Sequence, residues 1–232
     1  MAEFKEFFDK KPAIFAVVSV NRENGRYDQT IRNTEIAYNA GFDGIFLMNP
    51  QQATWHPNYL LTLIHDQFPG LWAGLYFLKA PKVGVDFNRK SDGILLEDIG
   101  FDDSSTMAQL EAAQIYEDSR KNNWNGLYFG GIGFRSAAIN GLHIGASYAS
   151  TMVDVMVTGG EKPGLPPSLE KVRTLKSSIG RCPLAITGVS PDNINGYYSL
   201  ADAFIVRSNL LKSPTEDFDP KKAREFVRAL RS

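Results

Sequence analysis

The sequence lacks most of the features that mark secreted, membrane-spanning and metal-clustered proteins. It contains a single cysteine, Cys182, which excludes an internal disulfide and a cysteine-cluster metal site and favours a reducing compartment. No apolar stretch approaches the roughly 18 residues that a membrane span needs. The charged segment 1–11 has no apolar centre of the kind found in signal peptides. We therefore expect a cytoplasmic protein with no membrane span.

The sequence also has no excess of positive or negative charge, and it has few histidines. Twenty-five basic and 26 acidic residues leave a formal net charge of −1 without a basic block, so nucleic-acid binding is not expected. The three histidines, His56, His65 and His143, fall in helix-like segments away from strand ends and form no metal cluster. We predict no cofactor and no metal site, although a divalent ion at the adjacent carboxylates Glu97 and Asp98 stays open.

The sequence does contain an eightfold alternation of apolar, strand-like runs with amphipathic, helix-like segments. Near-continuous Val, Ile, Leu and Phe is typical of strands buried on both faces. Helical connections between such strands require parallel pairing through right-handed crossovers. Eight units in 232 residues predict an α/β fold, a (β/α)8 TIM barrel that forms a single domain over residues 1–232. The runs are Ala13–Val20, Gly44–Asn49, Leu71–Leu78, Gly93–Glu97, Leu127–Phe129, Val153–Thr158, Leu184–Thr187 and Ala203–Ser208.

The segments between the runs predict helices of unequal regularity. Ala2–Asp9 is expected to form a short N-terminal helix that covers the bottom of the barrel with Phe4, Phe7 and Phe8. The third unit, Lys79–Lys90, contains a proline and a glycine and predicts an irregular helix. The other predicted helices are a segment capped by Asp28 that ends at Asn39, Pro57–Gln67, Thr106–Asn122, Ser136–Thr151, Ser168–Ser178, a segment that opens at Ser190-Pro191, and Pro220–Leu230. The segment Ser136–Thr151 is rich in small residues, which would pack against the sheet or a second subunit, and a homo-oligomer is our expectation.

The strongest local signal for a binding site is the segment that leaves the seventh strand, Thr187-Gly188-Val189-Ser190. Glycine lets the backbone approach a ligand closely, and the free N–H groups of a helix start attract anions. Loops after the seventh and eighth strands of this barrel commonly bind phosphate. Arg207 and Ser208 end the eighth run, and Arg207 would add a bidentate contact to a phosphate or carboxylate. These six residues predict an anion site; the alternative is an ordinary glycine turn followed by a helix start.

Two further strand ends carry polar side chains toward the barrel mouth. Glu97 and Asp98 lie at the end of the fourth strand and point to opposite sides, and we expect Glu97 to face the mouth as a general acid–base group. A carboxylate bonded to a neighbouring arginine or loop N–H is the alternative. Asn49 ends the second run, where it would orient a ligand by hydrogen bonds or cap the following turn.

Glycine-rich loops follow the fifth and sixth runs. Thr158, Gly159 and Gly160 begin a loop that we expect to act as a lid or ligand contact, although its charged pair at residues 161 and 162 is as typical of a solvated surface. The segment Gly130–Arg135 lacks the spacing of a dinucleotide-binding loop, so a nicotinamide or flavin enzyme is a less favoured hypothesis.

Three stretches in the last part of the chain resemble the BtpA/SgcQ family. Gly160–Pro167, followed by Ser-Leu-Glu, is similar to that family's glycine-rich, Lys-Pro-Pro-containing lead into its sixth helix. Thr187–Asn193 resembles its Ser-Gly-Val-Thr-Pro-Glu-Asn loop, and Ser199–Val206 resembles its Ala-Asp-Gly-Phe-Ile-Val strand. The N-terminal half agrees more loosely. The resemblance implies a (β/α)8 barrel with a phosphate-type pocket in a family whose members include one associated with photosystem I biogenesis and others similar to enzymes of sugar or nucleotide metabolism.

The sequence also departs from that family. The family pattern ends the second strand with Glu-Asn, where this chain has Met48-Asn49, and it ends the fifth with an alternating Asp, His and Lys, where this chain has Gly131, Gly133 and Arg135. Arg135 is the charged ligand contact that remains there. Our first hypothesis is therefore an enzyme acting on a small phosphorylated metabolite, a sugar phosphate or nucleotide-like molecule, with isomerase, lyase and phosphoribosyl or glycosyl transfer chemistry all open. The second is a non-catalytic binding or assembly protein on the same scaffold.

Overall fold

Eight strands pair in parallel, in chain order, and β8 returns to β1 to close a barrel. The computed structural model describes residues 3–8, 12–21, 27–49, 57–78, 90–99, 101, 109–110, 113–114, 116–118, 124–134, 141–213 and 215–231. The strands are β1 (Ala13–Ser19), β2 (Gly44–Met48), β3 (Trp72–Phe77), β4 (Gly93–Leu96), β5 (Leu127–Gly131), β6 (Val155–Thr158), β7 (Leu184–Thr187) and β8 (Ala203–Val206). All eight coincide with predicted runs, and the (β/α)8 barrel is confirmed.

Helices occupy the crossovers between the strands. They are α1 (Phe4–Phe7), α2 (Asp28–Ala40), α3 (Pro57–Gln67), α4 (Leu142–Ala149), α5 (Leu169–Ser178) and α6 (Pro220–Arg231), with short 3₁₀ helices at Ile194–Tyr197 and Ser208–Leu210. Between β4 and β5, residues 109–110, 113–114 and 116–118 are helical, as predicted for that segment. The irregular third unit lies almost entirely outside the described residues. Among the described helices, none is long and apolar enough to cross a membrane.

An aromatic cluster closes the N-terminal end of the barrel. Trp72 lies between Phe15 and Phe46, with ring centroids 5.2 and 5.1 Å away. Its ring fills the space beside two glycines, Gly74 of β3 and Gly93 of β4. From α1, Phe8 packs edge-on against Phe15 at 4.9 Å. The prediction that this short helix covers the bottom is confirmed, but Phe7 is 38% exposed and does not share the buried face. Because these side chains fill the bottom of the barrel, a ligand can enter the barrel, as far as the described residues show, from the C-terminal ends of the strands.

Two predicted helix starts are wrong, and a third falls on residues outside the described part of the chain. After β7, the segment at Ser190-Pro191 forms a turn and a four-residue 3₁₀ helix, because the Asn193 side chain accepts the Ser190 N–H at 2.9 Å and closes a local turn. In the region predicted as the helix Ser136–Thr151, the described helix runs from Leu142 to Ala149 with Gly141, at φ +78°, as its N-cap; residues 136–140 lie outside the described residues. Asp28 is the first helical residue, and Tyr27 occupies the N-cap position.

The small residues of α4 pack within the chain. Ala146 and Ala149 are fully buried in the layer between helices and barrel. A side chain at Gly145 would overlap the carbonyl oxygen of Phe101, so glycine allows this close approach. The exposed apolar side chains of the helix, Ile144 and Tyr148, lie on its other face. The small-residue pattern is therefore explained by packing against the chain's own barrel.

Candidate functional site

A cavity of about 320 Å³ opens at the C-terminal end of the barrel, above the aromatic cluster. Its volume lies at the lower end of the range of small-molecule pockets. Strand ends and the residues that follow β3, β4 and β5 form one part of its wall, and the loops after β6, β7 and β8 form the rest. The lining residues are Val17, Met48, Tyr76, Leu78, Leu95, Glu97, Phe134, Gly160, Lys162, Pro163, Gly164, Thr187, Gly188, Val189, Ile205, Val206, Arg207, Ser208 and Asn209.

Glu97 lines this cavity as a carboxylate that is only 8% exposed. Leu95 faces the barrel interior, so Glu97, two residues later, points the same way, while Asp98 is exposed. The Tyr76 hydroxyl donates to a Glu97 carboxylate oxygen at 2.7 Å. Tyr76 is absent from the predicted site, although the alternation along β3 would place it inside the barrel. A carboxylate oriented in this way accepts a hydrogen bond from a ligand or takes part in proton transfer.

Arg207 lies at the rim of the cavity in a cluster with Ser19 and Glu216. Its Nη2 is 2.5 Å from a Glu216 carboxylate oxygen and donates to the Ser19 hydroxyl at 2.9 Å. The Ser19 hydroxyl in turn donates to Glu216 at 3.1 Å. The predicted anion-binding arginine therefore already has an anionic partner within the protein, which any ligand must displace or share.

The loop that carries Glu216 is anchored by a buried asparagine of α2. Asn33 is 1% exposed; its side chain donates to the Glu216 carbonyl at 2.9 Å and accepts the Phe218 N–H at 2.9 Å. Leu211 and Phe218 form an antiparallel bridge across the base of the loop. These contacts hold the Glu216 backbone beside Arg207. Glu216 is also missing from the predicted site, because no local motif marks it.

Asn209 connects the loops that form the rest of the wall. Its side-chain amide donates to the Val189 carbonyl at 2.7 Å and to the Gly164 carbonyl at 3.3 Å. Gly188 has φ +81°, and a Cβ there would overlap the carbonyl oxygen of Leu165. The loops after β6 and β7 thus pack backbone to backbone, and the asparagine that follows β8 binds both.

Lys171 holds the ends of β5 and β6 together from the first turn of α5. It is 2% exposed, and its ammonium group donates to the Gly159 carbonyl at 3.0 Å and to the Gly133 carbonyl. A buried ammonium requires such partners, because burying an unpaired charge is costly. The predicted site does not include Lys171. A lysine next to the apolar positions of α5 is ordinarily expected to be exposed, so the sequence gives no sign that it is buried.

Seven of the predicted site residues line the cavity, and the others do not. Those that line it are Glu97, Gly160, Thr187, Gly188, Val189, Arg207 and Ser208. Thr158 is fully buried and its hydroxyl donates to the Ile132 carbonyl at 3.0 Å, so it faces away from the cavity. At the end of β2, Met48 lines the cavity and Asn49 does not.

The remaining predicted residues are placed as follows. Gly159 lies just outside the lining, with its carbonyl bound by Lys171. Ser190 is also outside it, and its N–H is already accepted by Asn193. Arg135 lies outside the described residues. Within the described part of the chain, no group of three or more histidine, cysteine or acidic side chains is arranged to hold a metal ion.

Comparison with known proteins identifies the fold. No family model matches the chain, and no curated protein matches it. The chain is similar to a solved structure of tryptophan synthase from M. tuberculosis in its aminoacrylate- and BRD0059-bound form, with a TM-score of 0.71, 15% identity and 99% of each chain covered. It is also similar to phosphoribosyl anthranilate isomerase from Thermus thermophilus, with a TM-score of 0.65, 13% identity, and 94% of this chain and 98% of that chain covered. At these identities the likeness shows the barrel fold alone.

Proposed function

We propose that this chain is a cytoplasmic barrel protein of the BtpA/SgcQ type that binds a small phosphorylated metabolite in the cavity and acts on it as an enzyme. The proposal rests on the observation that Arg207 and the buried carboxylate of Glu97 line the same cavity. The position agrees with the general use of this end of the barrel for catalysis and of the last two loops for phosphate. One similar structure, an isomerase, is named for a phosphoribosyl substrate.

The phosphate is proposed to bind at the loops after β7 and β8. Arg207 supplies the guanidinium, Ser208 a hydroxyl, and Gly188 and Val189 backbone N–H groups. Ser190, which the sequence predicts as a third N–H donor, is excluded from this set because Asn193 occupies its N–H. The exposed Lys162 also lines the cavity and adds a second positive charge at the rim.

Binding is tested by calorimetric titration with inorganic phosphate and ribose 5-phosphate. Arg207→Ala is expected to lose most of the affinity, whereas Arg224→Ala, which removes an exposed arginine of α6, is expected to leave it unchanged. Glu216→Gln removes the competing charge and should tighten binding by up to about fivefold, since an exposed ion pair contributes up to about 1 kcal/mol. Equal affinity in the wild type and Arg207→Ala would refute this location of the phosphate.

Catalysis is proposed to use Glu97 as the acid–base residue, oriented by Tyr76. Isomerisation, lyase chemistry and phosphoribosyl or glycosyl transfer all remain consistent with one such carboxylate. The alternative, a binding protein without catalysis, is favoured by one observation: Glu97 is the one carboxylate among the described lining residues. Glu97→Gln distinguishes the two. If the protein is an enzyme, turnover of a bound phosphorylated compound is abolished while its binding persists; if it only binds, wild type and variant behave alike.

A further inference from the structure

The part of the cavity wall that the strands form is mostly apolar. Val17, Met48, Leu95 and Ile205 come from four different strands, face the barrel interior and line the cavity. They belong to the same interior cluster as the aromatic side chains that fill the bottom of the barrel. Phe134 packs on this cluster and lines the cavity as well. A ligand that enters the barrel therefore meets apolar side chains on this wall.

Polar groups are distributed unevenly around the same cavity. The positive charges of Arg207 and Lys162 stand on the loop side. On the strand side, the polar side chains are Glu97, Tyr76, whose hydroxyl donates to Glu97, and Thr187 at the end of β7. The described residues thus form a positively charged rim and a mostly apolar chamber with three hydrogen-bonding side chains, Glu97, Tyr76 and Thr187.

From this distribution we infer that the ligand is amphiphilic, with its phosphate at the rim and an apolar, ring-sized body in the chamber, where a single polar group of that body faces Glu97. The phosphate end of this ligand rests on the proposed function. The apolar body is the new claim, and it excludes polyhydroxylated sugar phosphates as the preferred ligands. A sugar body would place several hydroxyl groups against Val17, Leu95 and Ile205, where they lose water without gaining a partner.

Four probes separate the body of the ligand from its phosphate. Inorganic phosphate, ribose 5-phosphate, phenyl phosphate and phenol are titrated into the full chain by calorimetry. We expect phenyl phosphate to bind at least tenfold more tightly than inorganic phosphate, since each methylene-sized group in an apolar pocket contributes roughly tenfold or more. Ribose 5-phosphate is expected to bind within about threefold of inorganic phosphate, because its body gains little in the chamber.

Variants assign the preference to the wall. Met48→Gln keeps the length of the side chain and adds an amide, and it should weaken phenyl phosphate by about tenfold while leaving inorganic phosphate unchanged. Leu78→Gln, at a partly exposed lining position, gives the same test if the first variant does not fold. Ile144→Gln, on the exposed face of α4, is the matched control and should change neither affinity.

Each outcome decides between the two claims. If ribose 5-phosphate binds as tightly as phenyl phosphate, or more tightly, the apolar body is refuted and the phosphate site survives. If phenol and phenyl phosphate bind equally while inorganic phosphate does not bind, the apolar chamber is supported and the phosphate site is refuted. If none of the four probes binds, both are refuted.

Discussion

Replacing Gly188 with alanine tests whether the cavity wall depends on close packing of two loops. Gly188 follows β7 with φ +81°, a left-handed conformation that costs a side-chain-bearing residue roughly 1–2 kcal/mol. In addition, the new methyl group would overlap the Leu165 carbonyl oxygen, far inside the 3.0 Å below which real Cβ atoms essentially never approach another atom. Because that atom belongs to the backbone, the loop after β6 must move as a unit.

The expected magnitude follows from these two effects. The conformational cost and the overlap together should lower the free energy of unfolding by about 3 kcal/mol or more, which places Gly188→Ala among the most destabilising single substitutions. Displacing the loop also stretches the hydrogen bond from Asn209 to the Gly164 carbonyl, now 3.3 Å long. Phosphate affinity should therefore fall together with stability.

Two other glycines separate the causes. Gly180 has φ +58° and no atom within 4 Å of a new Cβ, so Gly180→Ala should show the conformational cost alone, about 1 kcal/mol. Gly196 has the same open space without the positive φ, and Gly196→Ala should change stability by less than about 0.5 kcal/mol. Urea unfolding of all three, followed by phosphate titration, is the assay. Equal losses for Gly188→Ala and Gly180→Ala would refute the role of the Leu165 contact.

Three further predictions concern groups outside the cavity. The buried Tyr128 hydroxyl has no hydrogen-bond partner among the described residues, so Tyr128→Phe should raise the free energy of unfolding by about 1 kcal/mol. Tyr197→Phe, which loses a 2.7 Å bond to the Pro167 carbonyl, should lower it by about as much in the same thermal melts. Burial raises the pKa of the Cys182 thiol from 9.0 to about 11, so alkylation at pH 8 should be about a hundredfold slower in the folded than in the urea-unfolded protein; equal rates would contradict this burial. Burial also raises the pKa of Asp92 above 3.8, so the folded chain binds this proton more tightly than the unfolded chain. The stability that this proton contributes is present below pH 3.8 and is lost as the pH rises from 3.8 through the raised pKa. Over this pH range, urea melts should show the wild type losing stability relative to Asp92→Asn.

The strands were predictable because apolar runs of this length, separated by helical segments, have few other solutions. The direction in which each side chain points, into the barrel or away from it, is harder to predict from the sequence. In Gly44–Asn49 every position before the last is glycine or apolar, because both faces of the strand are buried, and the run contains no polar alternation to show which residues face inside. Asn49 was therefore predicted at the mouth, where the structure places Met48. At the end of β4 the charge itself distinguishes the faces, and Glu97 is found inside as predicted.

Tyr76 could have been predicted from the alternation along β3, but other residues missing from the predicted site act through contacts between distant parts of the chain. Asn33 binds the carbonyl of Glu216, 183 residues away, and Arg207 reaches Ser19, 188 residues away, because barrel closure brings β8 beside β1. Local sequence reports turn chemistry and periodicity, which is why Gly188 could be identified. It carries no signal for a carboxylate that a folded loop holds beside an arginine.

The charged groups at the rim, Arg207 and Glu216, exchange partners more readily than Glu97 inside the cavity. This difference gives the two sites different roles. At the rim, the side chains of Arg207 and Glu216 are 29% and 50% exposed, so their pairing contributes about 1 kcal/mol or less and a doubly charged phosphate can replace it at small cost. Glu97 is 8% exposed and is held by Tyr76 in a mostly apolar wall, where a change of hydrogen-bond partner costs more than it does at the exposed rim. The rim therefore sets how strongly an anion is retained, whereas the buried carboxylate sets how the ligand is oriented once it is inside.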